Sequence, residues 1–276
     1  MRKKERGVGS LKFWKYHGLG NDYLVIESRV ALTSAQIERI CHRNYGFGSD
    51  GILVQVAGGD SAEFGVKIYN PDGSEAEKSG NGLRIFTRYL FDTGQIKFDP
   101  VSILTLGGCV KAQQLDAQTV RVGMGQAMFD GVGEPIQLVS QALTAHVVSV
   151  GNPHCVIVSD GVASAEHAAT ELGAQLETHP RFPNRTNVQF VHIIDRSRIY
   201  IAIWERGAGR TLASGSSSCA AAAVAHRLGL CDAAIQVDMA GGTLLVEIGD
   251  NWEIVLEGAV TKVGEGLISA ESLTNL

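Results

Sequence analysis

Hydrophobic and polar positions change places in short bursts along this chain rather than in long helical waves. Runs at 11–16, 23–27, 52–56, 64–69 and 101–106 are rich in Val, Ile, Leu and aromatic residues. So are those at 119–122, 145–150, 156–159, 187–194, 199–204, 237–239, 243–248 and 252–257, and Gly, Asp and Asn separate them. Short β-branched runs punctuated in this way predict the strands of an antiparallel or mixed sheet. Three segments carry helical spacing instead. Thr33 or Ser34 caps a short helix that continues through Arg39. Residues 82–92 place Leu83, Phe86, Leu90 and Phe91 at helical intervals and stop before Gly94. Residues 217–228 are rich in Ala and stop at Gly229. The last two helices are apolar or small on most sides, which predicts deep burial with sheet wrapped around them.

Both of those helices open just after the same dipeptide, Ser-Gly. At a constant offset of 135, Ile68 meets Ile203, Tyr69 meets Trp204, and Ser79-Gly80 meets Ser214-Gly215. Upstream, Gly20-Asn21-Asp22-Tyr23 is echoed by Gly151-Asn152-Pro153-His154. The chain thus reads as a duplication with its boundary near 124–130. If the copies pack face to face, Ser79 and Ser214 confront each other across one cleft, a geometry suited to chemistry on two faces of one atom. The first turns of the two helices would present unpaired backbone N–H groups there, which favours an anion such as a substrate carboxylate.

Bulk composition narrows the function classes. The chain has 276 residues, 45% of them hydrophobic, and can bury a sizeable core in two domains. A net charge of −5 argues against nucleic acid or an anionic membrane as the main partner. The basic start, Met1-Arg2-Lys3-Lys4-Glu5-Arg6, is followed by no apolar stretch, so it is not a secretory signal and reads as a disordered leader or a segment added for expression. No run reaches the length of a membrane span. Five cysteines without a Cys-x-x-Cys pair read as reduced thiols of a cytoplasmic protein, and no His and Cys spacing marks a structural metal site. Gly46-Phe47-Gly48-Ser49-Asp50-Gly51 lacks the spacing and the strand-to-helix context of a phosphate loop.

Five motifs carry a family resemblance: His17-Gly18-Leu19-Gly20-Asn21-Asp22-Tyr23, Asn70-Pro71-Asp72-Gly73-Ser74-Glu75, Gly80-Asn81-Gly82-Leu83-Arg84, Gly151-Asn152-Pro153-His154 and Glu205-Arg206-Gly207-Ala208-Gly209. In order and spacing they resemble diaminopimelate epimerase over nearly the whole chain. The resemblance implies an α+β fold of two pseudo-symmetric halves, each a mixed β-barrel around a central helix, with the active site between them. The halves would be residues 1–127 and 128–265, with a tail of about 266–276 returning to the first. It implies an isomerase of lysine biosynthesis, a cytoplasmic homodimer that interconverts LL- and meso-diaminopimelate without metal or pyridoxal phosphate. Two cysteines of the family act on opposite faces of the α-carbon, one removing the proton and the other returning it.

Matched by motif, those two cysteines fall on Ser79 and Ser214. A thiol ionises near pKa ~8.5 and is readily tuned further, whereas an alkoxide is far harder to make. The serine pair is therefore expected to impair α-proton exchange. Cys219 lies inside the helix after Ser214, where it packs as a small buried residue rather than a substitute. The resemblance assigns the substrate's polar ends to Asn21, Asn70, Asn152 and Asn187 and the distal carboxylate to Arg206. Backbone N–H groups of Gly80, Asn81, Gly215 and Ser216 would meet the α-carboxylate, and His154 and Glu205 would assist proton exchange beside the serines. A milder departure is Arg210, where the family usually carries Glu or Gln.

Each of these residues also has a plainer role open to it. His154 can cap a strand turn, Asn70 belongs to a strong turn sequence, Glu205 and Arg206 can form a surface ion pair, and both serines suit helix N-caps. Two further functions stay open beside the epimerase: a divergent paralogue that isomerises or dehydrates another amino or hydroxy acid, and a non-catalytic amino-acid-binding protein. In the first case the two serines are native or introduced replacements of cysteine.

Overall fold

The computed structural model describes residues 10–27 and 31–274, and the basic leader at 1–6 lies outside them. The chain divides into two compact units, residues 1–120 with 260–276 and residues 121–259.

In the first unit, β1 (Leu11–Gly18) and β2 (Asn21–Ile26) form an antiparallel hairpin. Helix α1 (Ser34–Cys41) then carries the chain to β3 (Ile52–Ala57), parallel to β2 with Leu24 opposite Ile52. Next come β4 (Phe64–Tyr69), antiparallel to β3, and the two-residue β5 (Glu75–Ala76) beside the end of β4. Helix α2 (Gly80–Asp92) follows, then β6 (Val101–Thr105), parallel to β4, and β7 (Gly108–Gln114), antiparallel to β6. Strand β8 (Thr119–Gln126) carries the chain into the second unit, where β9 (Met128–Gln137) pairs with β10 (Ala142–Ser149).

From β10 onward the second unit repeats the first, pairing by pairing. Strands β10 and β11 (Pro153–Val158) make the hairpin, and α3 (Val162–Glu177) leads to β12 (Asn187–Asp195), parallel to β11. Strand β13 (Arg198–Glu205) is antiparallel to β12, and β14 (Gly209–Arg210) lies beside its end. Helix α4 (Gly215–Arg227) precedes β15 (Ala234–Met239), parallel to β13, and then β16 (Gly242–Ile248) and β17 (Glu253–Ala259) add antiparallel strands. Strand β18 (Thr261–Ile268) returns to the first unit against β1, and α5 (Ala270–Thr274) packs on α1. The hairpin turns match as well: Gly20 at φ 90° and Gly151 at φ 98° occupy the left-handed region that glycine enters without a steric penalty.

Each unit encloses one helix. Helix α2 packs on β1, β2 and β7 through Leu83, Ile85, Phe86, Tyr89 and Leu90, all without solvent exposure. Helix α4 touches seven strands from β10 to β17, and Cys219 through Ala223 are fully buried. A helix surrounded so closely has room only for small side chains, which accounts for its alanines. Cys219 is one of them. Two outer helices complete the layers: α1 covers Leu24, Ile26 and Ile52 in the first unit, and α3 covers Phe190 and Ala202 in the second.

Helix α3 and the strands at 108–114, 128–137 and 261–268 lie outside the expected elements. Both central helices begin two residues earlier than their apolar spacing suggests, directly after Ser79 and Ser214. Glycine, asparagine and serine occupy those first turns, so no hydrophobic pattern marked them.

Candidate active site

In the first unit the candidate residues gather where the β1–β2 turn meets the start of α2. Ser79 is the N-cap of α2, in extended backbone at φ −140° and ψ 118°, and its Oγ accepts from the Gly82 amide at 3.0 Å. Next to it stands a residue that sequence reasoning quoted but did not select: the Tyr23 hydroxyl lies 3.3 Å from Ser79 Oγ. The signal was present in the echo, since Tyr23 holds the place in its turn that His154 holds in the other. The backbone of Gly80 and Asn81 forms the first turn of the helix. Asn81 Nδ2 donates to Asn21 Oδ1 at 3.0 Å, and Asn81 Oδ1 accepts from the fully buried Arg84 at 2.9 Å.

Asn21 is fixed from its other side too. Its Nδ2 donates to Asp50 Oδ2 at 3.0 Å, the same oxygen that accepts from the Asp22 amide. Arg43 bridges Asp50 and Asp22 at 2.7 and 3.2 Å, and Lys15 reaches Asp22 at 2.8 Å. The glycine-rich segment at 46–51 therefore serves as the support of Asn21 rather than as a phosphate cradle. Asn70 heads its own turn: Nδ2 donates to Ser74 Oγ at 3.0 Å and the backbone closes on Ser74 and Gly73.

In the second unit Ser214 is the N-cap of α4 at φ −147° and ψ 125°, nearly the backbone of Ser79. Its hydroxyl makes no cap bond, and the residue is buried at 6% exposure. The amides of Gly215, Ser216 and Ser217 thus open the helix without help from Ser214. Neither central helix has an acidic residue in its first turn. That leaves the positive end of each helix macrodipole unneutralised there and favours an anion.

His154 is fully buried opposite Asn187 in the β11–β12 register, and its Nε2 lies 2.9 Å from Asn152 Oδ1. Burial pushes its pKa down to about 3; Gln189 opposes the shift and the Arg206 charge adds to it. His154 is consequently neutral at ordinary pH. Asn187 bridges two backbone groups: Nδ2 donates to Pro153 O at 3.0 Å, and Oδ1 accepts from the Arg206 amide at 3.0 Å. It holds the turn that carries Arg206. Glu205 and Gly209 face each other across that turn, with Gly207 and Gly209 at φ 78° and 76°.

A second residue missed by the sequence reading braces the same turn. Glu177, at the end of α3, accepts from the Trp204 indole at 2.7 Å and from the Gly207 amide at 2.9 Å, with Arg185 at 3.4 Å. Burial alone would raise its pKa, but those donors outweigh it and hold the carboxyl below its usual range. The departure at Arg210 is also accommodated, because Arg210 pairs with Glu166 of α3 and donates to the Ile203 carbonyl.

The chain matches the family model described as diaminopimelate epimerase over residues 13–129 and 146–263. The diaminopimelate epimerase 2 of Nostoc sp. (strain PCC 7120) is 50% identical over 277 residues, covering 95% of this chain and 96% of the relative. The diaminopimelate epimerase 1 of the same strain is 32% identical, covering 93% and 99%. Among solved structures, a hydroxyproline epimerase from Agrobacterium vitis, with bound trans-4-OH-L-proline, has a TM-score of 0.74 at 15% identity. The match covers 96% of this chain and 92% of that one. At that identity the likeness is one of fold. No helix among the described residues is long and apolar enough to cross a membrane.

Proposed function

The chain belongs to the diaminopimelate epimerase family, and from that premise we propose that it acts on the α-carbon of diaminopimelate, interconverting the LL and meso forms by two-base proton transfer. Ser79 in one unit and Ser214 in the other stand at the acid/base positions. Arg206 takes the distal carboxylate with a guanidinium fork suited to bidentate recognition. The N–H groups of Gly80 and Asn81, and of Gly215 and Ser216, take the α-carboxylate. Asn21, Asn70, Asn152 and Asn187 order the polar ends, with Asn187 acting through the Arg206 backbone. His154 and Glu205 exchange protons with the serines. The same reading makes the protein a cytoplasmic homodimer of lysine biosynthesis, and sedimentation of the purified protein tests the dimer.

One observation carries the reading: both serines are N-caps, with almost the same backbone angles, of two equivalent buried helices that begin with Gly. What they lack is acidity. A hydroxyl ionises far above a thiol, whose pKa is ~8.5, and each unit of that gap amounts to ~1.36 kcal/mol. Turnover by the serine pair is therefore slow. Incubation with LL- and meso-diaminopimelate in D₂O, followed by NMR of α-deuterium incorporation, tests this. Slow exchange is expected as the chain stands, and a gain of ~10²–10⁴-fold on restoring Ser79→Cys and Ser214→Cys, the usual worth of positioned acid–base groups. Rapid exchange by the unaltered protein would overturn the role given to the serines. An inert double variant would overturn the substrate.

A second reading has its own support. The chain is far nearer to one of two numbered paralogues of a single strain than to the other. That fits a separate lineage in which the pocket binds an amino acid without turnover, or isomerises or dehydrates a related acid. Calorimetric binding without exchange, in the double cysteine variant as well, would favour it.

A further inference from the structure

We propose that Gln189 is a positioning residue that sets the tautomer of His154, holding the imidazole proton on Nδ1 and leaving the Nε2 lone pair towards Asn152. The inference rests on the reading of His154 as a proton-exchange partner, and the geometry that supports it lies wholly within the second unit.

Gln189 follows Asn187 by two residues on β12, so the two share one face of the strand, and Asn187 is the register partner of His154 on β11. Gln189, Ser217 and His154 are all fully buried. The amide nitrogen of Gln189 donates to Ser217 Oγ at 3.0 Å, which ties Gln189 to the first turn of α4, the helix that Ser214 opens. Two buried atoms then have no hydrogen-bond partner, Gln189 Oε1 and His154 Nδ1. One can accept, and the other can donate when it carries the proton. Buried polar groups of this kind pair in native proteins, and Gln189 is the neighbour that opposes the effect of burial on His154.

A neutral imidazole has a single N–H, so a proton on Nδ1 makes Nε2 an acceptor. The 2.9 Å contact of Nε2 with Asn152 is then made by the amide nitrogen, reached by turning a half-buried side chain whose O and N are close to isosteric. Turning Gln189 instead would require re-forming its fully buried bond to Ser217. Arg206 is the charged group that acts on His154, and it disfavours a second proton on the ring. The outcome is a neutral histidine whose basic nitrogen has a fixed direction, set from behind by an amide anchored to the α4 helix. His154 orientation and the Ser214 end of α4 are in this way mechanically linked.

Long-range ¹H–¹⁵N correlation of the imidazole rings in labelled protein reads the tautomer directly. The unaltered chain is expected to show His154 protonated on Nδ1. Gln189→Leu should move the proton to Nε2, because Asn152 is then the remaining partner, and Ser217→Ala should give a mixture. Gln189→Glu is nearly isosteric and guards against a folding failure: its carboxylate should move the His154 titration upward by at least tenfold in proton affinity. An Nε2 proton in the unaltered protein, an unchanged tautomer in Gln189→Leu, or no titration shift in Gln189→Glu would each overturn the proposal. With the two cysteines restored, Gln189→Leu should lower kcat for α-proton exchange and leave KM unchanged. If the restored enzyme does not exchange diaminopimelate, the substrate reading fails while the tautomer result still decides the role of Gln189.

Discussion

Removing one hydroxyl at a time should separate the two serines. In Ser79→Ala the Gly82 amide loses its acceptor at 3.0 Å, and the Tyr23 hydroxyl loses a neighbour at 3.3 Å. A lost N-cap costs about 1 kcal/mol, within a range of ~0.5–2. In Ser214→Ala no cap bond exists to be lost, so the change should cost clearly less than Ser79→Ala. With a urea slope of ~2 kcal/mol/M, the first variant should unfold about 0.5 M earlier and the second by a smaller margin. Because the chain has two units, unfolding need not be a single step. Amide hydrogen exchange therefore gives the sharper assay. The first-turn amides of α2 should exchange about fivefold faster in Ser79→Ala, the factor that ~1 kcal/mol represents, while those of α4 stay unchanged in Ser214→Ala. Equal effects in the two variants, or a larger one at Ser214, would refute the asymmetry. The asymmetry also bears on restoration. Sulfur is a weak acceptor, so Ser79→Cys should give up part of the cap while Ser214→Cys should cost almost nothing.

Three other perturbations test the braces of the second unit. Glu177→Leu should destabilise it by about 1–3 kcal/mol by leaving the Trp204 and Gly207 donors unpaired, measured by urea unfolding. Because the folded carboxyl is held below its usual value, Glu177 contributes stability above its unfolded pKa of ~4.3. That contribution is lost as pH falls through the lower folded value, and an acid titration of the unfolding midpoint should show it in the native chain but not in Glu177→Leu. Gly173→Ala would put a methyl group 2.6 Å from the Trp204 ring and should cost about 1–3 kcal/mol by overpacking, seen as a lowered thermal midpoint. Arg210→Glu, which restores the residue type usual in the family, should destabilise through repulsion with Glu166. Adding Glu166→Arg should recover the loss, and a double-mutant cycle on thermal midpoints gives the coupling.

Much of the fold was legible because the duplication is written in residues with fixed structural duties. Tyr69 is the last residue of β4 and Trp204 the last but one of the equivalent β13, and Ser79 and Ser214 cap equivalent helices that begin with Gly80 and Gly215. Strands such as β4 and β13 showed themselves by β-branched runs. Helix α3 escaped because its buried face is drawn from Ala165, Ala169, Leu172, Gly173 and Leu176. The spacing is helical, but alanine and glycine give it little hydrophobic contrast, and Gly161 offers no side-chain cap. Strand β18 escaped for the opposite reason, since Gly264 and Gly266 break its apolar run into isolated Val263 and Leu267, both exposed. At the candidate site, the motifs located the asparagines but not what holds them. Asp50, Glu177 and Gln189 support Asn21, the Arg206 turn and His154 from sequence distances that no local pattern spans. Asn187 was expected to hold a polar end of the substrate, yet its amide is engaged with two backbone groups, which only the register of β11 and β12 could reveal.

The pairing of β1 with β18 has a consequence for the order in which the molecule is made. The second unit is one unbroken stretch of chain, so all of its strands exist together once residue 259 has been synthesised. The first unit begins earlier but lacks the second neighbour of β1 until residues 261–268 emerge. The β1–β2 hairpin must wait, with the β1 edge unpaired, through the whole synthesis of the other unit. Vectorial folding usually favours the amino-terminal domain; here the later unit can close first, and the earlier one is completed only by the final strand.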